Sequence, residues 1–223
     1  MVPYPHYEEW KKKNEENKTG KFLVMNIATS GLPVKVKGLY KDPSNLEAYS
    51  GSRMVQIIWG VYDNDQNEIV RKNHIIKPND FVITDTTSKI HKITQEKAVK
   101  DGKNFNEICD ELLVDIGECS YLVSHNAEFD YNILMSELYR NNYKDLSFII
   151  NSLSRICTGE ATKNLLKIKT TYGADKSFKM PKLTELYTWC FKKNMGPYDV
   201  DNNHRALVEI FFHLKTKYKM VRQ

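Results

Sequence analysis

Hydrophobic and polar positions alternate along the first third of the chain, and this pattern predicts strands. Apolar residues dominate the stretch from Lys21 to Ile27, and the run stops at a Ser-Gly-Leu-Pro turn that ends at Pro33. Two further strands follow, separated by a polar turn, so the three strands favour an antiparallel meander. The segment 34–52 between the first two is polar and predicts an irregular insertion. The predicted strands are 21–27, 54–62 and 68–77.

The second half of the chain changes to helical spacing. Apolar residues recur at intervals of three and four, which is typical of helices with one buried stripe. The order of elements predicts an α/β fold, in which helices cover a mixed five-stranded sheet. The predicted helices span 105–116, 129–139, 159–168, 183–192 and 204–218, and the predicted short strands span 121–125 and 155–158.

Length and composition are those of one folded domain. The chain has 223 residues, of which 41% are hydrophobic and 27% charged. No apolar run approaches the roughly 20 residues needed to cross a bilayer, so we predict no membrane association. Residues 1–20 form a charged N-terminal extension unlike a signal peptide, and we predict an intracellular protein, cytoplasmic or nuclear, with a single domain over 21–219. The four cysteines show no C-x-x-C spacing, so neither a zinc knuckle nor a disulfide framework is predicted.

Charge changes this picture slightly. The formal net charge is +5, and lysines cluster in three segments, 163–169, 176–182 and 215–219, with Tyr172, Phe178 and Tyr218 interleaved. One interpretation is a solvated surface around core aromatics. The other is a groove for a single strand, with basic groups for phosphates and aromatic faces for bases.

The segment Ser124-His-Asn-Ala-Glu-Phe-Asp130 is the first candidate for chemistry. The predicted strand delivers Asn126 to the carboxyl end of the sheet, where α/β proteins build ligand sites, and a helix begins at once. A structural interpretation is also open: Asn126 caps the helix and Asp130 complements its dipole, together worth about 1 kcal/mol.

The second candidate lies at the start of the last predicted helix. His204 follows a loop rich in Gly, Pro and Asp, so we expect its imidazole to lie at the helix mouth, free to swing into a cleft. A single histidine is more often structural than catalytic.

Together with Phe22-Leu-Val-Met-Asn-Ile-Ala-Thr-Ser-Gly-Leu32, these two segments resemble the DEDDh (DnaQ-like) family of 3′–5′ exonucleases, which has a ribonuclease H-like fold. In that family the first strand reads hydrophobic-Asp-x-Glu-Thr-x-Gly-Leu. The second motif reads His-Asn-x-x-Phe-Asp, and the third is a His followed five residues later by Asp. The resemblance runs from about Lys21 to Leu214. Four further matches support it, at residues 53–59, 90–94, 156–158 and 181–186.

The resemblance implies a site for two Mg²⁺ or Mn²⁺ ions, with His204 as general base. Several converging carboxylates neutralise such ions, and positions two apart on a strand share a face. The family's metal ligands would fall at positions 26, 28, 130 and 209. Here only Asp130 is retained unchanged: Asn26 and Ala28 mark lost ligands, and Glu209 replaces an Asp. We therefore expect weak or absent metal binding.

The implied function is hydrolysis of nucleotides from single-stranded 3′ ends of DNA or RNA, in a form that is inactive or severely impaired. The resemblance is compatible with replication or repair proteins as partners and indicates no oligomeric state. The implied nucleic-acid contacts are Ala28, Thr29, Ser30, Asn126, Phe129, Lys176, Phe178 and Lys179.

The cause of the substitutions leaves two explanations open. One is an engineered inactivation of a genuine exonuclease, and the other is natural decay to a pseudonuclease that binds nucleic acid without cutting it. A protein-interaction module is a third hypothesis, with residues 1–20 and 34–52 as candidate surfaces.

Overall fold

The computed structural model describes residues 20–170, 178–197 and 199–218. The charged extension, apart from Gly20, and the predicted contact Lys176 lie outside these described residues. No helix among the described residues is long and apolar enough to cross a membrane.

A mixed five-stranded sheet forms the centre of the fold, as the sequence predicts. Its strand order is β5-β4-β1-β6-β7. β1 pairs antiparallel with β4 and parallel with β6, so the first strand of the chain is the middle strand of the sheet. The strands are β1 (Lys21–Thr29), β2 (Lys35–Val36), β3 (Leu39–Tyr40), β4 (Met54–Tyr62), β5 (Glu68–Ile75), β6 (Cys119–Ser124) and β7 (Ser154–Cys157).

Helices flank this sheet. They are α1 (Asp85–His91), α2 (Gln95–Asp101), α3 (Phe105–Asp115), α4 (Ala127–Arg140), α5 (Lys144–Ser152), α6 (Thr158–Leu166), α7 (Leu183–Phe191) and α8 (Val200–Tyr218). The prediction lacked α1, α2 and α5. The first two are only seven residues long, and each begins at a threonine whose hydroxyl accepts a backbone N–H. Such short helices depend on their caps rather than on an apolar stripe.

Both faces of β1 are buried. Leu23 and Met25 pack in one cluster with residues of α3 and α4. Phe22 and Val24 point the other way and pack against Leu207 and Phe211 of α8. This two-sided burial explains the near-continuous apolar run in the sequence, which is typical of a central strand.

The segment 34–52, predicted as an irregular insertion, contains regular structure. It holds the β2–β3 hairpin and a short 3-10 helix (Leu46–Tyr49). Tyr49 is fully buried, and its hydroxyl donates to the Lys41 carbonyl at 2.6 Å. The segment that carries the hairpin is therefore packed against the domain through Tyr49.

Candidate functional site

Asp130 lies in the first turn of α4 and contacts the backbone of β1. The pairing of β1 with β6 ends at Val24 and Val123, and beyond that point the Ile27 N–H donates to the Asp130 carboxylate. The Ser124 hydroxyl, at the end of β6, donates to the same carboxylate. Asp130 is thus held beside β1, at the residue between positions 26 and 28.

Burial dominates the electrostatics of this carboxyl group. Removal from water raises the pKa of Asp130 to about 7, and the hydrogen bonds from Ser124 and Ile27 only partly oppose the rise. At neutral pH the group is therefore divided between its protonated and ionised forms.

Asn26 and Ala28 follow Phe22 and Val24 on one face of β1, so the structure brings both positions to the strand end next to Asp130. The Asn26 Oδ1 atom is buried and has no hydrogen-bond partner among the described residues. Ala28 is 6% exposed and contributes only a methyl group. This end of β1 therefore carries one neutral amide and no charge.

His204 is placed differently from the sequence expectation. α8 begins at Val200, so His204 lies in its second turn rather than at its mouth. The side chain is completely buried. The expectation of an imidazole free to swing into a cleft is wrong, because His204 lies on the same buried face of α8 as Leu207 and Phe211.

Tyr62 holds the buried imidazole. Its hydroxyl donates to Glu68 at 2.8 Å and lies 3.4 Å from the Nε2 atom of His204. Since the tyrosine proton is used by Glu68, Nε2 is the donor of this long contact. The Nδ1 atom then presents a lone pair, and it has no hydrogen-bond partner among the described residues. Burial, with a smaller contribution from Arg71, lowers the pKa of His204 to about 4, so the ring is neutral at physiological pH.

The sequence analysis missed Tyr62, although a signal was present. A glycine inside a strand often marks a close approach, and Gly60 is such a residue. A Cβ atom at Gly60 would lie 2.6 Å from the Tyr62 ring, so the ring occupies the space that the glycine leaves open.

Glu209 does not join Asp130. It is exposed, and its carboxylate accepts a hydrogen bond from the Tyr187 hydroxyl of α7 at 3.0 Å. The described residues contain no group of three or more His, Cys, Asp or Glu side chains that could hold a metal ion. One buried carboxylate and one amide do not supply the oxygen ligands and negative charge that two Mg²⁺ ions require, so these residues do not fit a two-metal centre.

The predicted contacts after β1 shape the turn. The Thr29 hydroxyl donates to the Gly31 carbonyl at 2.7 Å, and the Ser30 hydroxyl accepts the Arg53 N–H at 3.0 Å. Asn126 occupies the N-cap position of α4, but its side chain makes no cap hydrogen bond. The structural interpretation of Asn126 as a side-chain cap is therefore wrong.

His125 connects the end of β6 to the segment that holds two further predicted contacts, Phe178 and Lys179. Its Nε2 atom donates to the Pro181 carbonyl at 2.8 Å, and its Nδ1 atom accepts from the Thr158 hydroxyl at 3.0 Å. Phe178 and Lys179 precede this anchor. Lys179 pairs with Glu185 at 2.8 Å, so its charge is compensated within the chain.

A family model described as "Exonuclease" matches residues 43–208. The match begins after β1, so the strand that carries Asn26 and Ala28 lies outside it. A comparison with curated proteins found no match.

Solved structures of exonuclease I share the fold. A complex of ExoI with SSB-Ct is 18% identical, with a TM-score of 0.66, and the match covers 91% of this chain and 42% of that one. E. coli exonuclease I in complex with a dA16 oligonucleotide is 18% identical, with a TM-score of 0.64, over 90% of this chain and 42% of that one. The chain therefore spans less than half of the length of these structures. The likeness confirms the predicted ribonuclease H-like exonuclease fold.

Proposed function

Because the chain belongs to the exonuclease family whose model matches residues 43–208, as its motifs predicted, we propose that it binds single-stranded 3′ ends of nucleic acid at the carboxyl end of β1 and hydrolyses them slowly or not at all. One observation carries this proposal. Asp130 lies against β1 between an amide at position 26 and a methyl group at position 28.

Electrostatics supports binding without cleavage. The family implies Mg²⁺ or Mn²⁺, which would neutralise a cluster of carboxylates and supply the Lewis acidity for hydrolysis. A cluster of carboxylates without metal would repel a phosphate. At neutral pH this site carries at most one buried negative charge, on Asp130, because Asn26 and Ala28 are uncharged. Its repulsion of a phosphodiester is correspondingly small.

The surroundings of the site support a nucleic-acid ligand. The turn at Thr29 and Ser30 is fixed by hydrogen bonds, and the half-buried Phe129 stands one residue before Asp130. Exonuclease I, whose fold this chain shares, is solved in complex with a dA16 oligonucleotide. These features support a bound 3′ end here, of DNA or RNA.

The test compares three proteins: the chain itself, the double variant Asn26→Asp with Ala28→Glu, and the same double variant carrying Asp130→Asn as matched control. Each is incubated with a single-stranded oligonucleotide labelled at its 5′ end, in Mg²⁺ or Mn²⁺. We expect the chain itself to bind the labelled oligonucleotide without shortening it. We expect the double variant to cleave at least about 100-fold faster, since even the hydrogen-bonding partners of metal ligands are worth about 10- to 100-fold. The control variant loses this gain.

Rapid shortening by the unaltered chain would contradict the proposal. Failure of all three proteins to bind the oligonucleotide would also contradict it and would favour the protein-interaction module. Mn²⁺ binding, measured by calorimetry on the same three proteins, distinguishes a protein that fails to bind the metal from one that fails to bind the oligonucleotide.

A further inference from the structure

The β2–β3 hairpin stands beside the candidate site. β1 passes through the turn at Gly31 directly into this hairpin. On its far strand, the Tyr40 ring lies 6.4 Å from the ring of Phe129, which immediately precedes Asp130 in the chain. A nucleic-acid strand that is bound at the end of β1 and leaves it on this side therefore passes the hairpin.

The hairpin has a defined shape. The Val34 N–H donates to the Ala48 carbonyl at 2.9 Å, and Arg140 of α4 donates to the Leu46 carbonyl at 3.3 Å, so the base of the insertion is fixed to the domain. Lys37 and Gly38 both have positive φ angles, of 51° and 80°. Positive φ at both central residues is the geometry of the type I′ turn, which suits a tight two-residue hairpin.

The two faces of the hairpin present different groups. Lys35 and Tyr40 are paired across the strands, and the lysine Nζ lies 3.8 Å from the centre of the tyrosine ring. Val36 and Leu39 form the other pair, and Leu39 is 69% exposed. Leu32 and Val34 are exposed as well, so residues 32–39 contain four exposed large apolar side chains.

Charge indicates which partner suits this surface. Residues 30–41 contain three lysines and no acidic residue. Basic groups that alternate with aromatic and apolar ones match a single strand, whose phosphates need cations and whose bases need faces to stack on. The exposed apolar groups alone would suit a protein segment equally well, but the interleaved lysines favour nucleic acid.

We propose that the β2–β3 hairpin is a clamp for single-stranded nucleic acid, holding the nucleotides that precede the 3′ end bound at β1. This inference rests on the proposed function and extends it, because it assigns affinity for the nucleotides that precede the 3′ end to Lys35, Lys37 and Tyr40, in addition to the binding of the 3′ end itself at β1. Tyr40 and the neighbouring Phe129 offer stacking faces, and the two lysines contact phosphates.

The test measures Kd by fluorescence anisotropy for labelled single strands of about four and about twelve nucleotides, since such binding sites span about 4–16 nucleotides. The first variant is Lys37→Asn, which removes a charge while placing Asn-Gly in a turn that favours this pair. The second is Tyr40→Leu. Lys144→Asn is the matched control, because Lys144 is exposed beyond the opposite end of α4.

We expect Lys37→Asn to weaken binding of the longer strand several-fold and to reduce the slope of log K against log salt by about 0.7, the value for one phosphate contact in a single strand. We expect Tyr40→Leu to weaken it by about fivefold or more, as for loss of a stacked base. The shorter strand, held at β1, changes little, and Lys144→Asn behaves as the unaltered chain.

The outcomes separate the two proposals. If the unaltered chain binds neither strand, the proposed function fails and the clamp fails with it. If it binds both strands and the hairpin variants keep full affinity for the longer one, the clamp alone is overturned, and the exposed hairpin is left for a protein partner.

Discussion

The carboxyl ends of β1 and β6 are neighbours in the sheet, yet their polar groups are treated differently. At the end of β6, Ser124 donates to Asp130, and His125 uses both ring nitrogens in hydrogen bonds. At the end of β1, the Asn26 Oδ1 atom is buried without a partner among the described residues, and Ala28 has no polar group.

This difference separates two roles of side chains at the site, which are support of the fold and contact with a ligand. His125 at the end of β6 joins residues that are 33 and 56 positions away in sequence, so it belongs to the architecture. The Asn26 Oδ1 atom and the Ala28 methyl group make no hydrogen bond to the described residues, so the identity of these side chains matters less to the hydrogen bonds between elements than to a ligand. A protein can therefore keep the fold of this family while its β1 end changes.

Among substitutions compared at one fixed pH, the largest expected effect comes from breaking the β6 end. We expect His125→Ala to lower the free energy of unfolding by about 3 kcal/mol, because it removes two hydrogen bonds and leaves the Pro181 carbonyl and the Thr158 hydroxyl unpaired around a cavity. Urea unfolding followed by circular dichroism measures this loss. A loss below about 1 kcal/mol, the worth of a single ordinary hydrogen bond, would show that His125 does not anchor the 178–182 segment.

The next expected effect is a dependence of stability on pH, which arises from Asp130. Asp130 has a raised pKa of about 7, against an ordinary value of 3.8. Its contribution to stability is complete below the ordinary value and is lost as pH rises through the raised one. The unaltered chain should therefore lose stability relative to Asp130→Asn by up to about 1.4 kcal/mol per pH unit between these values, and no further at higher pH.

Urea unfolding of both proteins at several pH values from about 4 to about 8 tests this expectation. The difference between them cancels the titration of other groups, including the opposing contribution of His204. A difference that does not change with pH would mean that the carboxyl group is better solvated than its burial indicates.

The smallest effect is expected at the β1 end. Asn26→Ala should change the free energy of unfolding by less than about 0.5 kcal/mol, because the Oδ1 atom that it removes has no described partner. Thermal unfolding at one pH is sufficient to measure it. A loss comparable to that of His125→Ala would erase the difference between the two strand ends.

Sequence patterns predicted the centre of the sheet because β1 and β4 are long and largely buried. β1, β4 and β5 were located within two residues of their ends, since apolar runs between turn residues mark them clearly. The pattern missed α1 and α2, whose formation depends on threonine caps. It also missed α5, although Leu146, Ile149 and Ile150 have helical spacing and are buried.

The candidate site was only partly predictable. Motif spacing placed Asn26, Ala28 and Asp130 together, because β1 and β6 are adjacent parallel strands. It did not predict that His204 is buried under Tyr62 or that Glu209 faces α7, because both outcomes depend on where α8 begins and how it rotates. Because α8 begins four residues earlier than predicted, His204 lies about one turn inside the helix instead of at its mouth.

The course of β1 has a further consequence for how this protein can change over generations. Residues 22–25 are fully enclosed by neighbouring strands and helices, whereas positions 26 and 28 lie past the last pair with β6. Among the described strands, the two outer positions pair only with β4, so substitutions there disturb fewer contacts within the sheet than substitutions at residues 22–24. A library randomised at only these two codons would therefore sample new chemistry on a largely unchanged scaffold.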